Sequence, residues 1–304
     1  MPILYRPLRS HELLDLSAPD DSLHVCHGGG RNLQLAVPSR WISFWLPLKE
    51  GVELEAPDCR WLLRPGELLV WRDGPLQAGN RRDGRWLAVC GSPAAWARYQ
   101  RARPGEPAIG LLPSESRCTR ALRRLGVRLA RVARRPELCP LDVGAVAGML
   151  SAALTEHQRD LHALLPRCAG RTLLRRQQTL MRLLRVRHLI RRHDEGRVDL
   201  AQLAASANYS PCHLIRSYRD VFGETPSEYA ARLRSERAWQ LVRETRMPVC
   251  EITAALGFES QSAFCRAFKG TFGMTTTQAR RLADPVPLRA GTACAPEMAC
   301  AQAA

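Results

Sequence analysis

Up to about residue 95 the apolar residues come in short runs broken by turn-forming residues. The runs Leu33–Val37, Trp41–Leu48, Val52–Leu54, Trp61–Leu63, Glu67–Trp71 and Arg85–Cys90 are expected strands. Gly28-Gly29-Gly30, Pro57-Asp58, Pro65-Gly66 and Asp73-Gly74-Pro75 supply the expected turns. Short strands at close spacing predict a small antiparallel barrel or sandwich. From about 114 to 166 the period becomes helical. Leu122, Leu125, Leu129 and Val132 fall on one face, while Arg120, Arg123, Arg124, Arg128, Arg131, Arg134 and Arg135 fill the rest as a solvated face. A second helix follows Pro140, with Asp142 near its start and Val143, Val146, Leu150, Leu154, Leu161 and Leu164 on its apolar side. A narrow leucine stripe on a charged helix needs a partner, which is either a second copy in a dimer seam or the strands themselves. Past Asp284 the chain turns to Pro, Ala and small polar residues, and disorder is expected there.

A helical period returns at Gln178–His193 and is stopped by Asp194-Glu195-Gly196. Asp199 is placed to cap a short helix, Leu200–Ala207, whose first N–H groups lack acceptors. Asn208 suits the positive φ of a tight turn. Ser210-Pro211 then opens a helix that runs to Phe222 and stops at Gly223. Helix, tight turn, helix is the arrangement that presents its second helix to a DNA major groove. The pattern repeats. Ile252, Gly257 and Phe258 echo Leu203, Asn208 and Tyr209 about 49 positions on. Phe264, Arg266, Phe268, Phe272, Gly273 and Thr275 match Leu214, Arg216, Tyr218, Phe222, Gly223 and Thr225 about 50 positions on. A helix from about Pro226 to Arg243 joins the copies. At ~1.5 Å per residue it spans roughly 27 Å, close to the ~34 Å turn of B-DNA.

Within each second helix the period separates core from surface. Leu214, Tyr218 and Phe222 face inward in the first, leaving Cys212, Ile215, Arg216 and Arg219 outside. In the second, Phe264, Phe268 and Phe272 face inward, leaving Gln261, Ser262, Cys265, Arg266 and Lys269 outside. Arg216 and Arg266 are candidates for guanine, because a guanidinium offers the bidentate fork that O6 and N7 accept. A phosphate contact or a surface ion pair is the plain alternative. Gln261 suits adenine, while Arg219, Lys269, Thr225 and Thr275 suit phosphate.

Charge agrees with a polyanion partner. The 304 residues carry a net +16. Residues 1–110 hold 14 basic and 12 acidic side chains, 111–177 hold 13 and 5, and 178–304 hold 18 and 12. The excess therefore lies beyond the first domain. Only Lys49 and Lys269 are lysines, so part of the arginine excess fits a GC-rich genome. Eleven dispersed cysteines without a C-x-x-C pair fit reduced thiols, neither a disulfide framework nor a zinc site. No secretory leader or membrane-length apolar run is visible, so a cytoplasmic protein without a membrane partner is expected.

The C-terminal stretch resembles the DNA-binding domain of the AraC/XylS family of bacterial transcription regulators. The resemblance runs through Leu203-Ala204, Tyr209-Ser210, His213-Leu214, Arg216, Gly223, Thr225-Pro226 and Tyr229. It continues through Arg234, Ala238, Leu241, Thr245, Ile252, Gly257-Phe258, Ser260, Phe264, Arg266, Phe268-Lys269 and Gly273-Met274-Thr275. Three positions depart from it: Thr276 stands where the family has Pro, Ala279 where it has an aromatic, and Thr253 where it has Ala. The resemblance implies an α+β chain in four parts. These are a cupin-like β-barrel sensing domain at 1–112, a helical dimerisation segment at 113–170, the double helix-turn-helix domain at 171–283, and a tail at 284–304. It also implies base contacts from Cys212, Ile215 and Arg216, and from Gln261, Ser262, Cys265 and Arg266. Implied partners are double-stranded DNA, RNA polymerase, a small-molecule effector and a second copy, with activation more expected than repression. Leu63 to Val70 resembles a turn and strand of the sensing domain.

No cofactor, catalytic residue or metal is expected. His24 and His27 lack the cupin His-x-His…Glu ligand pattern, and Trp41, Trp45, Trp61, Trp71 and Trp86 are either core or pocket lining. Two rival readings remain. One is an architectural DNA-binding protein without an effector. The other is a thiol-dependent DNA alkyl-transfer enzyme built on Pro211-Cys212-His213, against which Leu214 stands where that motif carries Arg.

Overall fold

The computed structural model describes residues 3–16, 21–57, 59–80, 83–100, 110–138, 142–192 and 199–283. They fall into two compact units, one ending at Ala230 and the other beginning at Ala231.

In the first unit the strands are β1 (Ile3–Leu8), β2 (Leu13–Asp15), β3 (Leu23–Gly30), β4 (Leu33–Val37), β5 (Ile42–Lys49) and β6 (Val52–Ala56). They continue with β7 (Cys59–Leu63), β8 (Glu67–Trp71), β9 (Leu76–Asn80), β10 (Gly84–Gly91) and β11 (Ser114–Arg117). They form two open sheets, ordered β1-β3-β10-β5-β8-β11 and β2-β4-β9-β6-β7. A closed barrel is therefore corrected to two layers. An all-antiparallel sheet is corrected too, because β1 runs parallel to β3 and β2 parallel to β4.

Burial explains the two kinds of strand in the sequence. The five-stranded sheet alternates buried and exposed positions along β4, β6 and β9, the mark of one wet face. Its inner side chains Leu33, Leu35, Leu54, Trp61 and Ala78 meet Trp45, Trp71, Trp86 and Cys90 of the other sheet in a common core. The six-stranded sheet is covered on both faces, so β5, β8 and β10 read as nearly continuous apolar runs. Gly28-Gly29-Gly30, expected as a turn, is the end of β3. A Cβ on Gly28 would lie 2.3 Å from the Trp86 ring, so only glycine lets that indole cross the strand.

Helices cover the outer face of the six-stranded sheet. They are α1 (Pro93–Ala97), α2 (Arg120–Arg134) and α3 (Val143–His157), followed by the short α4 (Arg159–His162). Leu122, Leu129 and Val132 of α2 and Val146, Leu150 and Leu154 of α3 pack with Phe44, Leu46, Val70 and Leu87. The partner that the leucine stripe needed is thus the chain's own sheet. Asp142 caps α3, its Oδ2 accepting from the N–H of Ala145 at 3.0 Å. That helix ends at His157 rather than running on through Leu164.

Helix α5 (Leu173–Arg192) begins five residues before its apolar period becomes legible. Its C-terminal half lies on the sheets. The His188 ring packs at a tilt on Trp61 and edge-on to Trp71, at 4.7 and 5.8 Å between ring centroids. Arg192 donates to Glu115 at 2.7 Å, and Arg185 lies 3.6 Å from Asp73. Nothing in the period of α5 announces this docking. The expected stop at Asp194-Glu195-Gly196 and the tail at 284–304 lie outside the described residues.

The remaining helices are α6 (Leu200–Ser206), α7 (Pro211–Phe222), α8 (Pro226–Glu244), α9 (Val249–Ala255), α10 (Gln261–Phe272) and α11 (Thr276–Ala283). The division between the two units falls within α8. No helix among the described residues is long and apolar enough to cross a membrane.

Candidate nucleic-acid interface

The first motif is built by local chemistry. Asp199 Oδ1 accepts from the N–H of Ala201 at 2.8 Å and so starts α6. Asn208 takes φ 55° in the turn, and the N–H of Tyr209 closes back on the Ala204 carbonyl at 2.9 Å. Ser210 caps α7, with Pro211 in its first turn. Helix α7 ends on Gly223 at φ 80°, whose N–H donates to the Arg219 carbonyl. Leu214 and Tyr218 are buried, and Tyr218 packs on Phe222 and Tyr229 at 4.6 and 6.3 Å. The Arg187 guanidinium of α5 covers the Phe222 and Tyr229 rings at 4.8 and 4.9 Å.

The second motif repeats this construction with different residues. Gly257 takes φ 65° where Asn208 stands in the first, and Ser260 caps α10 by accepting from Ala263 at 3.1 Å. Helix α10 closes on Gly273 at φ 69°. Phe264 and Phe268 are buried, and Trp239 from α8 stacks over Phe268 and Phe272 at 6.1 and 4.7 Å. The offsets of 49 and 50 expected from the sequence hold for both helix pairs and both turns.

Two of the three departures are accommodated by their surroundings. Thr253 is buried in α9 without penalty because its hydroxyl donates to the Val249 carbonyl at 2.7 Å. Ala279 is fully buried in the second core, where the small side chain brings α11 close. Thr276 is buried at the start of α11, and nothing in the structure explains its replacing Pro.

On α7, Cys212, Arg216 and Arg219 are exposed and Ile215 is half-buried. On α10, Gln261, Ser262, Arg266 and Lys269 are exposed and Cys265 is half-buried. Arg216, Arg266 and Lys269 make no hydrogen bond or ion pair among the described residues, so each cation is open to a ligand. Arg219 differs. It donates to Glu228 at 3.1 Å. Glu228 lies below the usual carboxylate range, chiefly because the Thr225 N–H and hydroxyl donate to it, with Arg219 adding to the effect.

Thr225 and Thr275 turn out to be cap residues. The N–H of Thr225 donates to Glu228 at 2.7 Å, and the N–H of Glu228 returns to the Thr225 hydroxyl at 3.2 Å. Thr275 and Gln278 make the same exchange at 2.8 and 3.2 Å. The signal for both is the spacing T-x-x-E/Q, which the sequence shows plainly. Arg280 reaches from α11 to the Met247 carbonyl and ties that helix down.

Other chemistry is sparse. Cys26, Cys90, Cys118, Cys168, Cys212, Cys250 and Cys265 are free thiols. No group of three His, Cys, Asp or Glu side chains that could hold a metal occurs among the described residues. His24 stacks on Trp41 at 5.4 Å. His213 is held by Tyr209 at 4.6 Å between ring centroids and lies 3.3 Å from Ser217 Oγ.

Residues 203–282 match the family model of a helix-turn-helix domain, a span that opens inside α6 and closes inside α11 and so takes in both motifs. The C-terminal third is an AraC/XylS-family domain. Similar to it is the transcriptional regulator Rob of Salmonella typhimurium, 34% identical over 113 residues, covering 34% of this chain and 39% of Rob. The HTH-type transcriptional regulator GbdR of Pseudomonas aeruginosa is 26% identical over 235 residues, covering 70% of this chain and 63% of GbdR. Among solved structures, the C-terminal domain of the response regulator AraT from Geobacillus stearothermophilus is 29% identical. It covers 33% of this chain and 84% of that one, with a TM-score of 0.32. The chain spans 30 to 39% of the length of the first curated relatives that it matches. Within the AraC-type domain, α7 and α10 are the second helices of the two motifs.

Proposed function

We propose that this chain is a sequence-specific, DNA-binding transcriptional regulator that reads two adjacent major-groove segments with α7 and α10. The observation that carries the reading is the paired exposure of Arg216 and Arg266. They stand at equivalent positions of two independently capped helices, and neither cation is neutralised within the described residues. A truncated or partnered side chain at either place would have weakened it.

In this reading Cys212, Ile215 and Arg216 face base edges in one segment, and Gln261, Ser262, Cys265 and Arg266 do so in the other. Lys269 takes phosphate. Arg219 does so by exchanging Glu228 for a phosphate, a small cost for an exposed pair. The two-sheet portion serves as a cupin-like sensing domain for a small-molecule effector, and α3, whose Met149 is exposed, as the part that brings two copies together. Activation through RNA polymerase, a cytoplasmic location and the absence of catalysis complete the proposal.

The test is selection of DNA sites by the full chain from a random-sequence duplex library, followed by footprinting. Enrichment of a site with two protected elements about one helical turn apart supports the reading. Binding without enrichment refutes sequence-specific readout and favours an architectural role.

A further inference from the structure

Helix α2 has a second surface that the sheet does not use. Its buried residues Leu122, Gly126, Leu129 and Val132 share one side. Arg120, Arg124, Arg128 and Arg131 lie at helical spacing on the opposite side, with Arg123 and Arg134 beside them, and all six are exposed. The helix contains no acidic residue. None of these guanidinium groups makes an ion pair or side-chain hydrogen bond among the described residues. Elsewhere on the chain exposed arginines do find carboxylates, as Arg60 finds Glu55 and Arg232 finds Glu236.

The field of this face reaches its neighbours. His27 is less basic than an ordinary histidine, first through burial and then through Arg85 and Arg134. Six like charges on one 15-residue helix repel one another, and in water alone they contribute nothing to the fold. A polyanionic occupant would remove that repulsion.

We infer that the arginine face of α2 is a second DNA-backbone contact, gripping phosphates beside the segment that α7 reads. The inference rests on the DNA-binding reading above. Three features favour DNA over an acidic protein. The exposed side of α2 has charge but no large apolar or aromatic centre, which a stable protein interface needs. The helix is roughly 22 Å long at ~1.5 Å per residue, about six base-pair rises of ~3.4 Å along the duplex axis, so its arginines can reach several phosphates. Helix α2 also belongs to the same compact unit as α7, so it is carried with a recognition helix.

The experiment compares the full chain with the combined variant Arg120→Gln, Arg124→Gln, Arg128→Gln and Arg131→Gln. Each change is exposed and keeps a good helix former. Binding to random-sequence duplexes of about 20 and about 60 base pairs is followed across a salt series. The wild type is expected to gain affinity with duplex length. In the variant that gain is lost, and the slope of log affinity against log salt falls by about 3.6, at about 0.9 for each of the four phosphates released. An equal slope and an equal length dependence in the two proteins would overturn the inference while leaving the DNA-binding reading intact. A wild type that binds neither duplex would overturn both. Matching melting temperatures show that the variant is folded; if it is not, the pair Arg124→Gln and Arg128→Gln is measured instead, with an expected slope change of about 2.

Discussion

Lowering the pH from 7 to 5 puts a proton on an exposed histidine, but His188 in the folded chain resists it. Its ring lies against Trp61 and Trp71, and its Nε2 has neither solvent nor a partner among the described residues. Burial first, then Arg192 and Arg191, lower its pKa from 6.5 to about 3. Between those two values the unfolded chain binds a proton that the native chain refuses, so stability falls as the pH drops. The contribution is whole above about 6.5 and is lost progressively toward about 3. From pH 7 to pH 5 a fully sealed ring would cost the fold about 2 kcal/mol, and the half-buried residue lowers that to about 1–2 kcal/mol. His188→Phe keeps an aromatic ring against the two tryptophans and removes the titration. The assay is urea unfolding by tryptophan fluorescence at both pH values, since six of the seven tryptophans precede residue 97. The wild type should lose about 1–2 kcal/mol more than the variant. Equal losses in the two proteins would refute the docking of α5 as described.

Arg266→Ala should leave the melting temperature unchanged and cost about 1–3 kcal/mol of binding at one preferred base, measured on single-base variants of a selected site. An equal loss on every sequence would make Arg266 a phosphate contact. Lys269→Ala should weaken binding uniformly and lower the salt slope by about 1, and an unchanged slope would remove it from the interface. Phe268→Ala opens the second core beneath Trp239 and should destabilise it by about 3–5 kcal/mol; a loss below about 1 kcal/mol in a chemical melt would contradict the packing.

Cys212 illustrates how place decides chemistry. The triplet Pro211-Cys212-His213 suggests a nucleophile on paper, but its thiol is exposed on the first turn of α7, and His213 is engaged by Tyr209 and Ser217. Cys212→Ser should therefore leave DNA affinity within a few-fold. Loss of a measurable alkyl-transfer activity in that variant would revive the enzymatic alternative.

The helix-turn-helix pair was legible because its information is local. Asp199 and Ser210 cap within three residues, Asn208 and Gly223, echoed by Gly257 and Gly273, answer the backbone's need for positive φ, and the inward apolar side chains repeat every four residues. Strands β4, β5, β6, β7, β8 and β10 were legible for the same reason, each being an apolar run long enough to stand out. What the tertiary structure alone decided is everything that depends on residues far apart in the chain. The parallel pairings of β1 and β2, the strand conformation of Gly28-Gly29-Gly30 under Trp86, the leucines of α2 closing on a sheet, and the seat of His188 against two tryptophans are all of this kind. Each is a choice among partners for the same apolar or aromatic surface. The burial free energy that makes the choice has no direction along the sequence, so only the assembled neighbours settle which partner wins.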